Sequence, residues 1–405
     1  MNVLDTLRAR GFIENSTDID ALAEHLSTEP RTFYVGFDPT GDSMHVGHLL
    51  PVMAMCWLQR AGHRPLAIVG GGTAMVGDPS GKDETREILT PEKIDANRDA
   101  LAGQLSKFFH VADDQASAQG NDALVINNGD WLLSLNYIEF LREIGSQFSV
   151  NRMLTAEGFR QRLDRNQGLS FIEFNYHLLQ SYDFLVLNER YGCSLQLGGN
   201  DQWFNILGGI DLIRRKAGRT AHALTVPLIM TADGKKMGKT AAGAVWIDPE
   251  KVSPYNYYQY WVNIADADVE KCLKLYTFLP LAQIAELTAL QGAAIRQAKA
   301  KLAFEATAIV HGAKAARDAQ EAAKKVFAGQ ASAEMPTHPC QLPMNVLDAY
   351  VASGLTASKG AARRLIQQGG ARFDDAKITD VEQILASPGI LWAGKKRAVR
   401  LTADE

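Results

Sequence analysis

Cysteine is nearly missing from this sequence: Cys56, Cys193, Cys272 and Cys340 are the only four among 405 residues. None stands in a metal-type pair, so both a disulfide framework and a cysteine zinc site are excluded, and a reducing, cytoplasmic compartment is expected. Long apolar runs are missing too. No stretch approaches the roughly 20 residues that a membrane span requires, so no membrane partner is expected. Residues 1–11 are charged and lack the apolar core of a secretory signal. An excess of one charge is also absent. With a net charge of −4, no global field attracts nucleic acid, and any RNA contact must come from local patches. There is no internal repeat. What remains is an ordinary globular composition, 46% hydrophobic and 22% charged, on a chain long enough for two or three domains.

Residues 34–48 organise the rest. Residues 32–37 are rich in aromatic and β-branched types and read as a strand. A tight loop with Pro39 and Gly41 follows, then an apolar helix for which Ser43 is the expected N-cap. A strand-loop-helix joint gathers unpaired N–H groups and the positive end of a helix dipole, where an anion can sit. His45 and His48 fall three residues apart on the first turn, and Gly47 leaves room for a flat ligand against the backbone. On spacing alone the pair could also be a zinc site lacking its third ligand, or two buried, hydrogen-bonded histidines.

The same grammar recurs downstream. Residues 65–70 read as a buried parallel strand followed by a glycine-rich loop that carries Asp78, Lys82 and Arg86. Residues 90–109 read as a helix and 123–127 as a strand, so the β-α-β-α-β order predicts a parallel sheet with its ligand crevice at the carboxyl ends. Residues 131–175 interrupt this alternation with helical segments whose spare apolar surface suits a subunit contact. In the helix expected over 172–190, Tyr176, Gln180 and Asp183 share one face. That stripe either faces solvent or reads the polar groups of a small zwitterion. Residues 194–197 form a short strand before Gly198-Gly199-Asn200-Asp201-Gln202-Trp203, where Asp201 could hold a ribose, and a helix is expected over 204–216. After a strand expected over 224–230, three lysines and two glycines in 231–240 make a cationic loop suited to a polyphosphate.

From Ser253-Pro254 onward the pattern is helical, with a long alanine-rich helix expected over 293–327. Residues 329–343 read as a linker. Residues 342–401 read as a small α/β unit, more basic than the chain as a whole, with Arg363-Arg364 and Lys395-Lys396-Arg397 suited to phosphate contacts.

Taken in order, these motifs resemble the bacterial-type tyrosyl-tRNA synthetases of class I. The matching stretches are Tyr34 with Gly36-Phe37-Asp38-Pro39-Thr40, His45-Val46-Gly47-His48, and Gly77-Asp78-Pro79-Ser80-Gly81-Lys82. Residues 176–183, Gly198 to Trp203 and Lys236-Met237-Gly238-Lys239-Thr240 complete the set. The tail resembles a small RNA-binding domain shared with a ribosomal small-subunit protein. The resemblance implies an α/β, Rossmann-like catalytic domain over 1–245 with a helical insertion at about 131–175. It further implies an α-helical anticodon-arm domain over 246–328, a linker at 329–341 and an RNA-binding domain over 342–405. The implied substrates are L-tyrosine, ATP with Mg²⁺, and tRNA(Tyr), with no tightly bound protein-ligated metal and a homodimeric assembly. Thr40, His45, Lys82, Arg86, Lys236, Lys239 and Thr240 would act in catalysis. Tyr34 and Asp183 would hold the substrate phenol, Asp78, Tyr176 and Gln180 its ammonium, and Gln202 its carboxylate region. Gly36, Asp38, His48, Gly199, Asp201 and Lys239 would face ATP. Val35, Pro51, Asn200 and Phe204 depart from the usual family residues, and Phe204 stands where glycine is usual.

Overall fold

A computed structural model describes the chain except residues 1, 80–88, 166–167, 169, 233, 235, 241–242, 290–291, 333–334, 395–396 and 405; side chains at 157–158, 161–162, 239–240 and 293 are also outside it. Its contacts divide the chain into two compact units: Met1–Trp246 with Glu270–Ile284, and Ile247–Val269 with Ala285–Glu405.

The first unit is built on a six-stranded sheet. Its strands are β1 (Asn15–Ser16), β2 (Thr32–Phe37), β3 (Arg64–Val69), β4 (Leu124–Asn127), β5 (Cys193–Gly199) and β6 (His222–Val226), in the order β1-β6-β5-β2-β3-β4. All neighbours are parallel except β1, which pairs antiparallel with β6 at the edge. Burial of the strand interior explains the near-continuous apolar run of β3. The chain moves outward from β2 to β3 and β4 on one side, and β5 and β6 lie on the other. The strand order therefore reverses between β2 and β5, and the loops leaving those two strands part to open a crevice. In register, Tyr34 of β2 faces Gln196 of β5.

Two local expectations shift. His45, rather than Ser43, caps the turn before the Leu49–Arg60 helix, because its ring nitrogen accepts the Gly47 N–H, whereas the Ser43 hydroxyl donates to the Met44 carbonyl. Strand β6 stops at Val226, where Pro227 removes the donor that would continue the ladder. The first 30 residues are two helices, Val3–Arg10 and Ile19–Thr28, with the two-residue β1 between them. Buried Arg10 sits over the Trp57 ring at 4.1 Å and donates to the carbonyls of Lys274 and Thr277, tying residues 270–284 to this unit.

At the amino ends of the strands, His25, His63 and His222 cluster. The His25 and His222 rings lie 4.6 Å apart, His25 Nε2 pairs with Ser194 Oγ at 2.7 Å, and His63 Nδ1 accepts the Arg31 N–H at 3.2 Å. Burial lowers all three pKa values, with Arg31 adding to each shift; His25 falls to about 4. The unfolded chain therefore binds more protons than the folded one between about pH 4 and the ordinary histidine value of 6.5. Stability is complete above that window and falls as pH drops through it. Thermal unfolding from pH 7.5 to about pH 5 should show a falling midpoint, and His25→Gln should flatten the decline. A midpoint unmoved by acid in the wild type would contradict this.

In the second unit Ser253 caps the Pro254–Val262 helix, which packs along the Ile295–Phe327 helix. The long helix is broken at Gly312, whose φ of 86° and ψ of 158° fit glycine and not an L side chain. The stretch read as a linker contains a strand, Thr337–Cys340, paired parallel to Arg397–Ala403 in a five-stranded sheet. The ordered tail thus begins before residue 342. Arg363 and Arg364 are exposed side by side on the Lys359–Gln367 helix, and Lys395 and Lys396 lie outside the described residues.

Candidate active site

The expected loops converge at the carboxyl ends of β2, β3 and β5. Asp38 follows β2 directly. Its Oδ1 accepts the Thr73 hydroxyl at 2.8 Å, and its Oδ2 accepts the Tyr176 phenol at 2.9 Å. Tyr176 is 5% exposed, so the helical stripe faces inward. Burial raises the Tyr176 pKa well above the ordinary phenol value, with Asp38 and Asp78 adding to it, so the side chain stays a neutral donor.

Asp183, on the same Phe171–Tyr191 helix, is 3% exposed. Its Oδ1 accepts Trp131 Nε1–H at 2.7 Å and its Oδ2 accepts Asn128 Nδ2–H at 2.9 Å. Asn128 is fixed in turn, its Oδ1 accepting the Gly72 N–H at 2.8 Å. Burial pushes the Asp183 pKa up to about 8, against the pull of its two donors, and nearby Asp38 adds to the rise. The Tyr34 hydroxyl, Gln180 Oε1 and Gln196 Oε1 are buried with no hydrogen-bond partner among the described residues. Each such group costs about 1–3 kcal/mol unless something pairs with it, so this end of the crevice can receive the polar groups of a ligand.

Asn128, Trp131 and Gln196 are site residues that sequence reasoning missed. Asn128 follows β4 as Asp38 follows β2, and the same rule about strand ends would have found it. Gln196 is a lone amide inside an apolar strand, which was its only signal.

Next along the crevice, Gln202 Nε2 donates to Asp78 Oδ2 at 2.8 Å and to Asp201 Oδ2 at 3.3 Å. The loop after β5 is anchored by Asn200, whose side-chain oxygen accepts from Asn15 Nδ2 at 2.7 Å and from Thr225 Oγ1 at 3.0 Å. Asn200, one of the departures, thus stitches the loop to β1 and β6. Gly199 lies at the end of β5, and Gly36 is exposed in β2 with open space where a Cβ would stand. Val35 is buried, and Pro51 is half-buried in its helix.

At the far side the His45 and His48 rings stack at 3.9 Å with 14° between their planes. His45 Nδ1 accepts the Gly47 N–H at 3.0 Å, and His48 Nδ1 accepts the His45 N–H at 3.2 Å, so in each neutral ring Nε2 carries the proton. His48 has an exposed edge, but protein packed round the rest of the ring desolvates it and lowers its pKa, with His45 adding to the shift. The lysine loop is fastened to this turn. Val46 N–H donates to Val245 O at 3.0 Å, Val245 N–H donates to Gly238 O at 2.7 Å, and Met237 is buried. Gly238 has φ +80°, and a Cβ there would stand 3.0 Å from Val46 Cβ and 3.2 Å from Gly47 N, so only glycine permits this approach. Lys236 is exposed, and Thr40 is exposed with its N–H donating to Asp38 O at 2.8 Å. The backbone of Lys239–Thr240 pairs with Gly243–Ala244; the side chains of Lys239 and Thr240, like the whole of Lys82 and Arg86, lie outside the described residues.

Comparison with known proteins agrees with this geometry. Residues 26–328 match the family described as tRNA synthetases class I (W and Y). The chain is 53% identical to a tyrosine–tRNA ligase of Lachnoclostridium phytofermentans over 94% of this chain and 92% of that protein. It is 49% identical to one of Clostridium botulinum over 100% of both. Among solved structures, a C-terminally truncated mitochondrial tyrosyl-tRNA synthetase of Aspergillus nidulans superposes with a TM-score of 0.71 at 29% identity, covering 79% of this chain and 92% of that one. Full-length identity near one half, over a chain whose crevice places the family's motifs together, leaves one assignment: the chain belongs to the class I tRNA synthetases, among the bacterial-type tyrosyl-tRNA synthetases.

Proposed function

We infer that this chain activates L-tyrosine with MgATP to tyrosyl-adenylate and transfers the tyrosyl group to the 3′ end of tRNA(Tyr). The observation that carries the substrate choice is the buried pair Tyr34 and Asp183, one hydroxyl with no partner among the described residues and one carboxyl group held by two donors. That pair reads a phenol. Asp78, Tyr176 and Gln180 take the ammonium, Gln202 lies by the reacting carboxylate, and Asp38 positions Tyr176 for it. Gly36, Asp38, His48, Gly199, Asp201 and Lys239 face ATP.

The chemistry follows from charge. An amino acid's α-carboxylate is ionised at neutral pH and attacks the α-phosphorus without a side-chain base. As the new bond to phosphorus forms, the bond to pyrophosphate breaks, and negative charge builds on the phosphate oxygens and the departing group. Thr40, His45 through Nε2–H, Lys236, Lys239 and Thr240, with Lys82 and Arg86, supply donors and positive charge there. Mg²⁺ arrives with ATP as part of the substrate and neutralises phosphate charge.

The helices of 246–328 and the unit at the tail hold the tRNA, with Arg363 and Arg364 as phosphate contacts. Among the described residues no helix is long and apolar enough to cross a membrane, and a cytoplasmic enzyme fits that reading. Tyr137, Ile138, Val150 and Phe171 are 57–69% exposed on the insertion and the helix after it, an apolar surface suited to a second copy of the chain. Sedimentation should give twice the chain mass, and Phe171→Asp should halve it; a wild-type monomer at all concentrations would exclude the homodimer. For the activity, ATP–pyrophosphate exchange should proceed with tyrosine and not with tryptophan, and the reverse preference would overturn the reading.

A further inference from the structure

The Phe204 ring lies against His177, centroids 4.5 Å apart and 29° from parallel. Phe148 meets the same imidazole edge-on at 5.4 Å. On the remaining side the Trp203–Ala217 helix comes so close that a Cβ on Gly208 would stand 2.4 Å from His177 Cε1. This cage fixes a buried histidine, 4% exposed, on the Phe171–Tyr191 helix one residue after Tyr176. His177 Nδ1 lies 3.1 Å from Asn205 Oδ1, Asn205 Nδ2 lies 3.3 Å from Gln202 Oε1, and Gln202 Nε2 lies 2.8 Å from Asp78 Oδ2.

The direction of this chain follows from its last member. A carboxylate only accepts, so Gln202 turns its NH₂ toward Asp78 and its carbonyl away. That carbonyl needs a donor, so Asn205 turns its NH₂ toward Gln202. The Asn205 carbonyl oxygen then faces His177 Nδ1, and the contact is a hydrogen bond only when that nitrogen carries the ring's proton. We propose that His177, pinned by Phe204, is a positioning residue that sets the orientation of Asn205 and Gln202 and so aims Asp78 at the tyrosine ammonium. Burial lowers the His177 pKa to about 4, with the Asn205 bond opposing and Arg152 assisting, so at neutral pH the ring has one N–H to place. Were that proton on Nε2, Asn205 and Gln202 would both reverse, and an amide oxygen would confront the Asp78 carboxylate. The proposal rests on Asp78 binding the ammonium.

Two variants separate aiming from mere packing. His177→Phe keeps the ring and removes the donor; His177→Asn keeps a donor near the Nδ1 position and removes the ring. His177→Phe should lower Tm less than His177→Asn does, because the ring packing is kept, and raise the KM for tyrosine about tenfold, the loss of one well-made hydrogen bond. His177→Asn should have a lower Tm with a KM within about twofold of the wild type. Binding of 3-(4-hydroxyphenyl)propanoate, which lacks the ammonium, should be the same in wild type and His177→Phe. The proposal is overturned if KM follows Tm in both variants, if His177→Phe binds tyrosine normally, or if the deaminated analogue weakens equally. Asp78→Asn tells the two failures apart. If Asp78→Asn weakens tyrosine and His177→Phe does not, the relay alone is wrong; if Asp78→Asn leaves tyrosine binding intact, the ammonium assignment is wrong and the relay falls with it.

Discussion

Alanine in place of Asp183 is expected to lower kcat/KM for tyrosine about 100-fold while leaving the slow activation of phenylalanine nearly unchanged. The carboxylate is held from both sides, Oδ1 by Trp131 at 2.7 Å and Oδ2 by Asn128 at 2.9 Å, so it cannot swing away from a ligand. Leaving the substrate hydroxyl buried without its partner costs about 1–3 kcal/mol, and the upper end applies where water is excluded. Phenylalanine brings no hydroxyl and has nothing to lose. The variant also strands the Trp131 and Asn128 donors, so unfolding should come about 2 kcal/mol easier. That loss has a pH dependence of known sign. The folded-state pKa of about 8 lies above the ordinary 3.8, so this part of wild-type stability is complete in acid and fades as pH rises through 8. The destabilisation should therefore be larger at pH 6 than at about pH 9. Tyr34→Phe is the matching control. Its hydroxyl has no partner among the described residues, so its removal should leave Tm equal or higher while reducing the preference for tyrosine about tenfold.

Lys236→Ala is expected to act on a different quantity. The side chain is exposed beside buried Met237, on a loop joined through Val245 to the His45 turn. Its charge meets negative charge that grows only as pyrophosphate departs, so the rate of adenylate formation should fall about 100-fold or more. The equilibrium affinity for tyrosine should stay within about twofold, because tyrosine binds at the other end of the crevice. Lys236→Arg, which keeps the charge, should recover part of the rate.

Much of this site was legible before the fold was known. The ligand-facing loops after β2, β3 and β5 follow from what a parallel sheet does at its carboxyl edge. The spacing of Tyr176, Gln180 and Asp183 placed them on one helical face without saying which way the face turned; 3% exposure at Asp183 decides it. Two of the residues missed act through another side chain. Asn128 and Trp131 are set by tertiary contact with Asp183, 55 and 52 positions away, and no periodicity encodes that. Strand Thr337–Cys340 was hidden for a related reason. Its partner lies about 60 residues later, and its composition, with Pro339 inside, reads as linker until the pairing exists. Gly312 shows the converse, since an alanine-rich run favours helix so strongly that its one break passes unseen.

In the proposed reaction an ionised substrate carboxylate attacks phosphorus inside a cleft of fixed donors, with no protein base. The direct test is the single-turnover rate of tyrosyl-adenylate formation at saturating tyrosine and MgATP, in wild type and Lys236→Ala, from about pH 7 to about pH 9. Both profiles should be level, the variant lying about 100-fold lower. A wild-type rate that climbs about tenfold per pH unit would show a side chain surrendering a proton in the rate-determining step, and would contradict the account.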